Sequence, residues 1–181
     1  MSDPALQWHR ELKPVLPSLT PRQRTVFAAL CAERVVPYLE PFDDLAKLAR
    51  DALNEVWVLS DGVTDFERLD PLTEQVAEVC DNEDEATEGD LVQAMEAVQQ
   101  AIMCVLDPES TQRAAHAASF ALTLASYPDC DSPEQGAAEE AAWQRKALRQ
   151  VQQRGDRGAV REDFSGLLEA RASWIAFSVH A

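Results

Sequence analysis

The sequence predicts an all-α protein, a single compact bundle of about six or seven helices, on three observations. Long segments carry apolar residues at i, i+3, i+4 spacing, which gathers them on one helical face. Helix start and stop residues recur between those segments. Only six glycines occur in 181 residues, too few for the tight turns of a hairpin-rich fold. At 46% hydrophobic and 27% charged residues the composition is that of a globular domain, and a chain of this length buries roughly 70% of its unfolded surface in one core. One helical domain over residues 1–181 follows, with a mobile N-terminus over 1–18 and an acidic connection over 81–90.

Thr20-Pro21-Arg22-Gln23 is a helix start. Thr20 caps, Pro21 loses no needed N–H at the first position, and Gln23 completes a capping box. The helix carries Val26, Phe27, Leu30 and Cys31 on one face and ends or kinks near Val35 to Leu39, where Pro37 and then Pro41 intervene. The next segment has the clearest periodicity: Leu45, Leu48, Ala49, Ala52, Leu53, Val56 and Trp57 form its apolar stripe, with Asp43, Asp44, Lys47, Arg50, Asp51 and Glu55 on the other side. Asp61-Gly62 stops it. A shorter helix starts at Asp70-Pro71 and carries Leu72, Val76 and Val79.

After the acidic connection, a helix capped by Asp90 bears Leu91, Met95, Val98, Ile102 and Val105, and Asp107-Pro108 ends it. Ser110 to Ala125 is rich in alanine, and its small side chains allow close helix approach, which predicts a place near the bundle's centre. Tyr127 to Pro133 is a loop. Ser132-Pro133-Glu134-Gln135 repeats the capping-box pattern and opens a helix with Ala141, Ala147, Leu148 and Val151 inward. Gly155 to Gly158 interrupts, and a last segment from Glu162 carries Phe164, Leu167, Leu168, Trp174 and Ile175. The pattern leaves Trp174 to His180 open between helix and extended tail.

The formal net charge is −16, and it is unevenly spread. Residues 41–90 hold 16 acids and 3 bases, whereas Gln144 to Arg161 holds six bases and only Asp156 as an acid. An acidic surface repels phosphate backbones and anionic headgroups, so nucleic acid and membrane surfaces are disfavoured as partners and a basic protein surface is favoured. Against that stand two plainer readings of the charge: ion pairing between the two regions, and solubility. The N-terminus lacks the basic and apolar regions of a signal peptide, and no apolar run approaches the ~20 residues that span a bilayer, so a cytoplasmic location is expected. Cys31, Cys80, Cys104 and Cys130 include no CxxC pair and read as reduced thiols.

From Leu19-Thr20-Pro21-Arg22-Gln23 through Phe27-Ala28-Ala29-Leu30-Cys31-Ala32-Glu33-Arg34 to Pro37-Tyr38, the chain resembles the YjaG-like family, bacterial proteins classed as a domain of unknown function. Leu53-Asn54-Glu55-Val56-Trp57 is similar to that family's Leu-x-x-x-Trp helix, and Val92 to Leu106 to its alanine-rich helix after an acidic stretch. This sequence departs from the pattern by inserting Ala32 beside the Cys-Glu-Arg element and by lacking aromatic residues in its acidic connection. The resemblance implies a compact all-helical cytoplasmic protein and supplies no catalytic residues.

Chemistry-bearing patterns are sparse. His9, His116 and His180 form no Glu-x-x-His or His-x-x-x-His pair, and no zinc-ligand spacing occurs, so neither metal nor other cofactor is expected. Asp81 to Glu85 has alternating oxygen donors like the start of a calcium loop, but Ala86 stands where such a loop needs glycine and Val92 where it needs its bidentate glutamate. Cys31 lies on an apolar face without an activating base, which reads as an inert buried thiol. Glu33 and Arg34 read as members of a surface or interhelix ion pair. Trp57 reads as core, while Trp143, beside Gln144, Arg145 and Lys146, has two readings, packing or an exposed anchor. No nucleophile elbow, phosphate loop or zinc-protease motif is present.

These features lead to the expectation of a noncatalytic protein that uses the region from Asp43 to Asp90 to cover a basic surface on a protein partner. Asp81, Glu83, Asp84, Glu85, Glu88 and Asp90 are the candidate contact residues, and an immunity protein neutralising a toxin is the concrete form. A DNA-mimicking inhibitor is a close variant. The alternatives are an enzyme or small-molecule binder with an interhelical pocket, and a self-associating structural protein.

Overall fold

The computed structural model describes residues 4–63, 65–81, 89–126, 132–155, 160–170, 172 and 174. Among them are eight α-helices and no strand: α1 (Pro4–Leu12), α2 (Pro21–Val35), α3 (Asp43–Ser60), α4 (Leu69–Asp81), α5 (Gly89–Leu106), α6 (Thr111–Ala125), α7 (Pro133–Arg154) and α8 (Ser165–Leu168). Tight 3-10 turns occupy Leu16–Ser18, Val36–Leu39 and Arg161–Phe164. The all-α bundle is as the sequence predicts, and the helix beyond the expected set is α1. No helix among the described residues is long and apolar enough to cross a membrane.

The capping box at the start of α2 forms as its residue pattern dictates. Gln23 N–H donates to Thr20 Oγ1 at 3.3 Å, and Thr20 N–H donates to Gln23 Oε1 at 3.0 Å. Two otherwise orphaned N–H groups are thereby satisfied. Thr20→Ala is expected to lower stability by about 1 kcal/mol in urea titrations, with Thr20→Ser retaining most of it. The same pattern at Ser132 does not form a box: no side-chain cap bond is made there, and α7 begins with Ser132 O accepting from Gln135 and Gly136 N–H. Asp90 is likewise not a cap. Gly89 already belongs to α5, and Asp90 sits in its first turn, where an acid is favoured by the helix's positive end.

The core is organised around α2, which packs against α3, α5, α6 and α7. The periodicity assigned α2 one apolar face; in the structure it is buried almost all round, including Gln23, Arg24, Thr25 and Arg34. Those polar groups are tolerated because each finds a partner on another part of the chain, as buried polar groups must. Gln23 Nε2 donates to Val151 O, Thr25 Oγ1 to Cys104 O, and Arg24 to the carbonyls of Leu19 (2.7 Å) and Pro108 (2.6 Å). Alanine-rich α6 packs against α5 and α2, with Ala114, Ala117, Ala118 and Ala121 buried.

Residues from the N-terminal stretch are tied to α7. Trp8 is buried, its indole N–H donates to Gln144 Oε1, and the Arg145 guanidinium lies 5.0 Å from its ring centroid. Arg145 also bonds Glu11 at 2.8 Å. At the other end of the chain, Phe164 and Leu167 enter the core, and Phe164 meets Trp57 in a tilted ring contact at 6.0 Å. Trp174 is buried; residues 175–181, whose conformation the sequence pattern left open, lie outside the described residues.

A buried polar seam joins α2 to α7. Arg34 Nε donates to Glu140 Oε2 at 3.2 Å, and Arg34 reaches Glu139 at 3.3 Å and the Ala170 carbonyl. Gln144 Nε2 donates to Glu140 Oε1 at 3.0 Å and to Ala118 O at 2.9 Å. Glu140 and Gln144 are both fully buried. Trp143 belongs to this seam: it is packed beneath the Arg34 guanidinium at 4.9 Å and donates to Leu167 O, so its reading as an exposed anchor is corrected.

Candidate functional site

Helices α3 and α4 pack against each other, and the acidic region 41–90 supplies both. Their apolar stripes are wider than the core can take up. Val56 and Trp57 of α3 and Val76 of α4 are buried, whereas Leu45, Leu48, Leu72 and Val79 are only half-buried. Those four line the floor of an open groove of about 660 Å³ between the two helices. Asp44, Asp51 and Glu78 line it as acids, and Lys47 as its base. Lys47 Nζ bonds Asp51 at 2.9 Å, and that bond lifts the Lys47 ammonium's pKa above its ordinary value, so the groove's base is committed to an acid of the same groove. Its lining is net negative.

The surroundings strengthen that field. Asp43, Asp70, Glu74 and Asp81 are exposed on the same two helices. The remaining bases of the region, Arg50 and Arg68, are engaged with Glu40 and Glu55 at 3.7 and 4.0 Å. Of the contact residues named from the sequence, Asp81 is the exposed last residue of α4 and Asp90 is half-buried, its Oδ2 accepting from Tyr38 Oη at 2.8 Å. Asp90 thus ties α5 to the turn after α2. Glu83, Asp84, Glu85 and Glu88 lie outside the described residues.

The groove itself was missed in the sequence, though a signal for it was present. Leu45 and Leu48 stand at the beginning of a stripe whose acidic neighbours Asp44 and Asp51 flank them on adjacent helical turns. An amphipathic helix with large leucines beside carboxylates has a boundary there, and boundary residues are the ones a partial core leaves half-exposed.

Three of the six bases between Gln144 and Arg161 are held in ion pairs, Lys146 and Arg149 are exposed on α7, and Arg157 lies outside the described residues. Arg145 serves Glu11, Arg154 bonds Asp163 at 2.7 Å, and Arg161 grips Glu33 through two contacts at 2.7 and 3.0 Å. Glu33 accepts from the Trp57 indole as well. These ion pairs join the stretch to α1, α2 and the C-terminal segment, and none of the three is made to α3 or α4. Glu33 and Arg34 are both interhelix ion-pair members, each with a different partner.

The thiols of Cys31, Cys80 and Cys104 are chemically quiet, and Cys130 lies outside the described residues. Burial pushes Cys31 well above its ordinary pKa, with the Glu140 charge adding to the effect. Burial pushes Cys80 and Cys104 up to about 12, which leaves little thiolate for nucleophilic attack at neutral pH. No cluster of three or more His, Cys, Asp or Glu side chains able to hold a metal occurs among the described residues.

No family model, curated protein or solved structure matches the chain. The likeness to the YjaG-like family therefore rests on the residues quoted for it, and a functional reading rests on geometry.

Proposed function

We propose that the chain is a noncatalytic cytoplasmic binding protein that covers a basic surface of a protein partner with the face of α3 and α4, in its most concrete form an immunity protein directed at a toxin. The supporting observation is the α3–α4 groove, which pairs an apolar floor with an acidic border. Partners with cationic side chains around an apolar ridge match both features. The border steers the encounter, and the floor supplies contact area that holds the complex.

The test uses the partner recovered from the native host, with association measured at increasing salt. Asp44→Lys together with Glu78→Lys reverses two groove charges at positions that are exposed. Association at low salt is expected to slow by about tenfold or more, with a flatter salt dependence. Asp107→Lys together with Glu109→Lys, at exposed positions on the loop between α5 and α6, serves as a charge-matched control with a smaller effect. Equal rates for the groove variant and the control would remove this face from consideration. The same measurement on charge reversals at Asp81, Glu83, Asp84 and Glu85 shows how far the contact extends past the groove.

A further inference from the structure

A second concave site is built from α1, the Leu16–Ser18 turn and the first half of α6. It is a pocket of about 420 Å³ whose polar lining is His9, Lys13, Thr111, Gln112 and His116. The two histidines are far apart in sequence and carry no ligand-pair spacing, yet the fold brings both to one cavity. No Asp or Glu occurs among the described residues that line it. In a chain of net charge −16, a cavity lined by an ammonium and two imidazoles without a carboxylate is the reverse of the molecular average.

None of these five side chains makes a hydrogen bond or ion pair with another described residue. Their donors are therefore available to a ligand. Lys13 donates as a cation, and an imidazole donates through at least one N–H in either protonation state. Thr111 and Gln112 belong to the first turn of α6, which holds no acidic residue and no side-chain cap bond, so the helix's positive end adds to the same field. Beneath them, Pro17 and Ala115 present an apolar floor, backed by buried Leu12 and Leu16. A bare inorganic ion leaves that floor unused, whereas each methylene laid on it adds affinity.

We propose that this pocket binds a small amphiphilic anion, a carboxylate or phosphate monoester whose head is held by Lys13, His9 and His116 while its apolar body rests on Pro17 and Ala115. The proposal is independent of the partner-binding reading, since the pocket and the α3–α4 groove share no residue.

Amide chemical shifts of the full-length ¹⁵N-labelled protein test it with four probes: octanoate, monooctyl phosphate, octylammonium and inorganic phosphate. At least one of the two alkyl anions is expected to shift amides of α1 and the first turns of α6 while leaving those of α3 and α4 in place, and the tighter of the two names the head group. Lys13→Glu and His116→Gln, both at exposed positions, are expected to weaken that binding by about tenfold each with the remaining spectrum preserved. The proposal is overturned by the absence of shifts with both alkyl anions, by octylammonium binding there as tightly, by inorganic phosphate matching the alkyl anions, or by undiminished binding in both variants.

Discussion

Arg34→Ala is expected to lower the free energy of unfolding by about 3–5 kcal/mol, the range for breaking a buried ion pair by removing one member. The reason is the state of what remains. Glu140 is fully buried, and without the guanidinium its carboxylate keeps the Gln144 amide and the contact with Trp174 but no cation. Arg34 also carries the Ala170 carbonyl and covers Trp143, so truncation leaves a second acceptor and an aromatic face uncovered. Arg34→Lys retains the charge but loses the planar fork that serves several partners at once, and should fall between wild type and alanine. The double variant Arg34→Met with Glu140→Leu removes both charges while keeping volume, and should be more stable than Arg34→Ala alone. Urea titrations of these variants decide the matter: a loss below about 1 kcal/mol for Arg34→Ala would place the seam among weak surface pairs.

The same seam has a pH signature. Burial drives the Glu140 carboxyl above its ordinary range, while Arg34, Gln144 and Trp174 pull it back without cancelling the effect. The folded protein therefore holds this proton more tightly than the unfolded chain does. Its contribution is full below the unfolded carboxyl value of about 4.3, declines as pH rises through the folded value, and is level above that. Glu140→Gln keeps the shape and cannot ionise, so the variant's stability curve should lack this decline. Subtracting the two curves isolates Glu140 from Glu96, whose carboxyl is also raised by burial; a difference that rises with pH over this window would refute the assignment.

How much of this was legible in the sequence depends on the kind of interaction involved. Local signals were readable wherever backbone and neighbouring side chains decide the outcome: the Thr20–Gln23 box, the stop at Gly62 with its φ of 94°, and the stripe of α3 all follow from residues within a few positions. The Ser132 pattern shows the limit. Its residues suit a capping box, yet its backbone at φ −151° and ψ 89° forms no side-chain cap bond. Periodicity also underestimated α2, because Gln23, Arg24, Thr25 and Arg34 look like solvent-facing residues until their partners on α5, α7, the loop at Pro108 and the C-terminal segment are known. Apart from the Leu19 carbonyl that Arg24 also holds, those partners lie many residues away, and no local pattern encodes them. For the same reason the charge count located the acidic region but not its groove, which exists only where α3 meets α4.

Gly136→Ala is the second large expected effect, and it runs against the ordinary helix rule. An alanine in place of a helical glycine gains about 1 kcal/mol when the site is open. Gly136 is not open: a Cβ there would fall far inside van der Waals contact with Ala125 O, with the carbonyl carbon at 3.2 Å and Trp174 Cβ at 3.5 Å. The obstacle is backbone at the C-terminal end of α6, which cannot swing aside as a flexible side chain does. Relief requires the start of α7 to move away from α6, and Ala137, Glu140 and Ala141, buried on the following turn, would move with it. Overpacking a well-filled core typically costs about 1–3 kcal/mol, and a rigid backbone obstacle places this site at the upper end, so the net loss is expected at about 2–3 kcal/mol despite the gain in helix propensity. Gly166 supplies the internal comparison. It lies in α8, where an added methyl would meet nothing within 4 Å, and Gly166→Ala should be neutral or stabilising by up to about 1 kcal/mol. Opposite signs for these two substitutions in thermal melts would locate the cost in the close approach of α6 and α7; a Gly136→Ala variant as stable as wild type or more so would show that the two helices can separate freely, and with them the polar seam that Glu140 anchors.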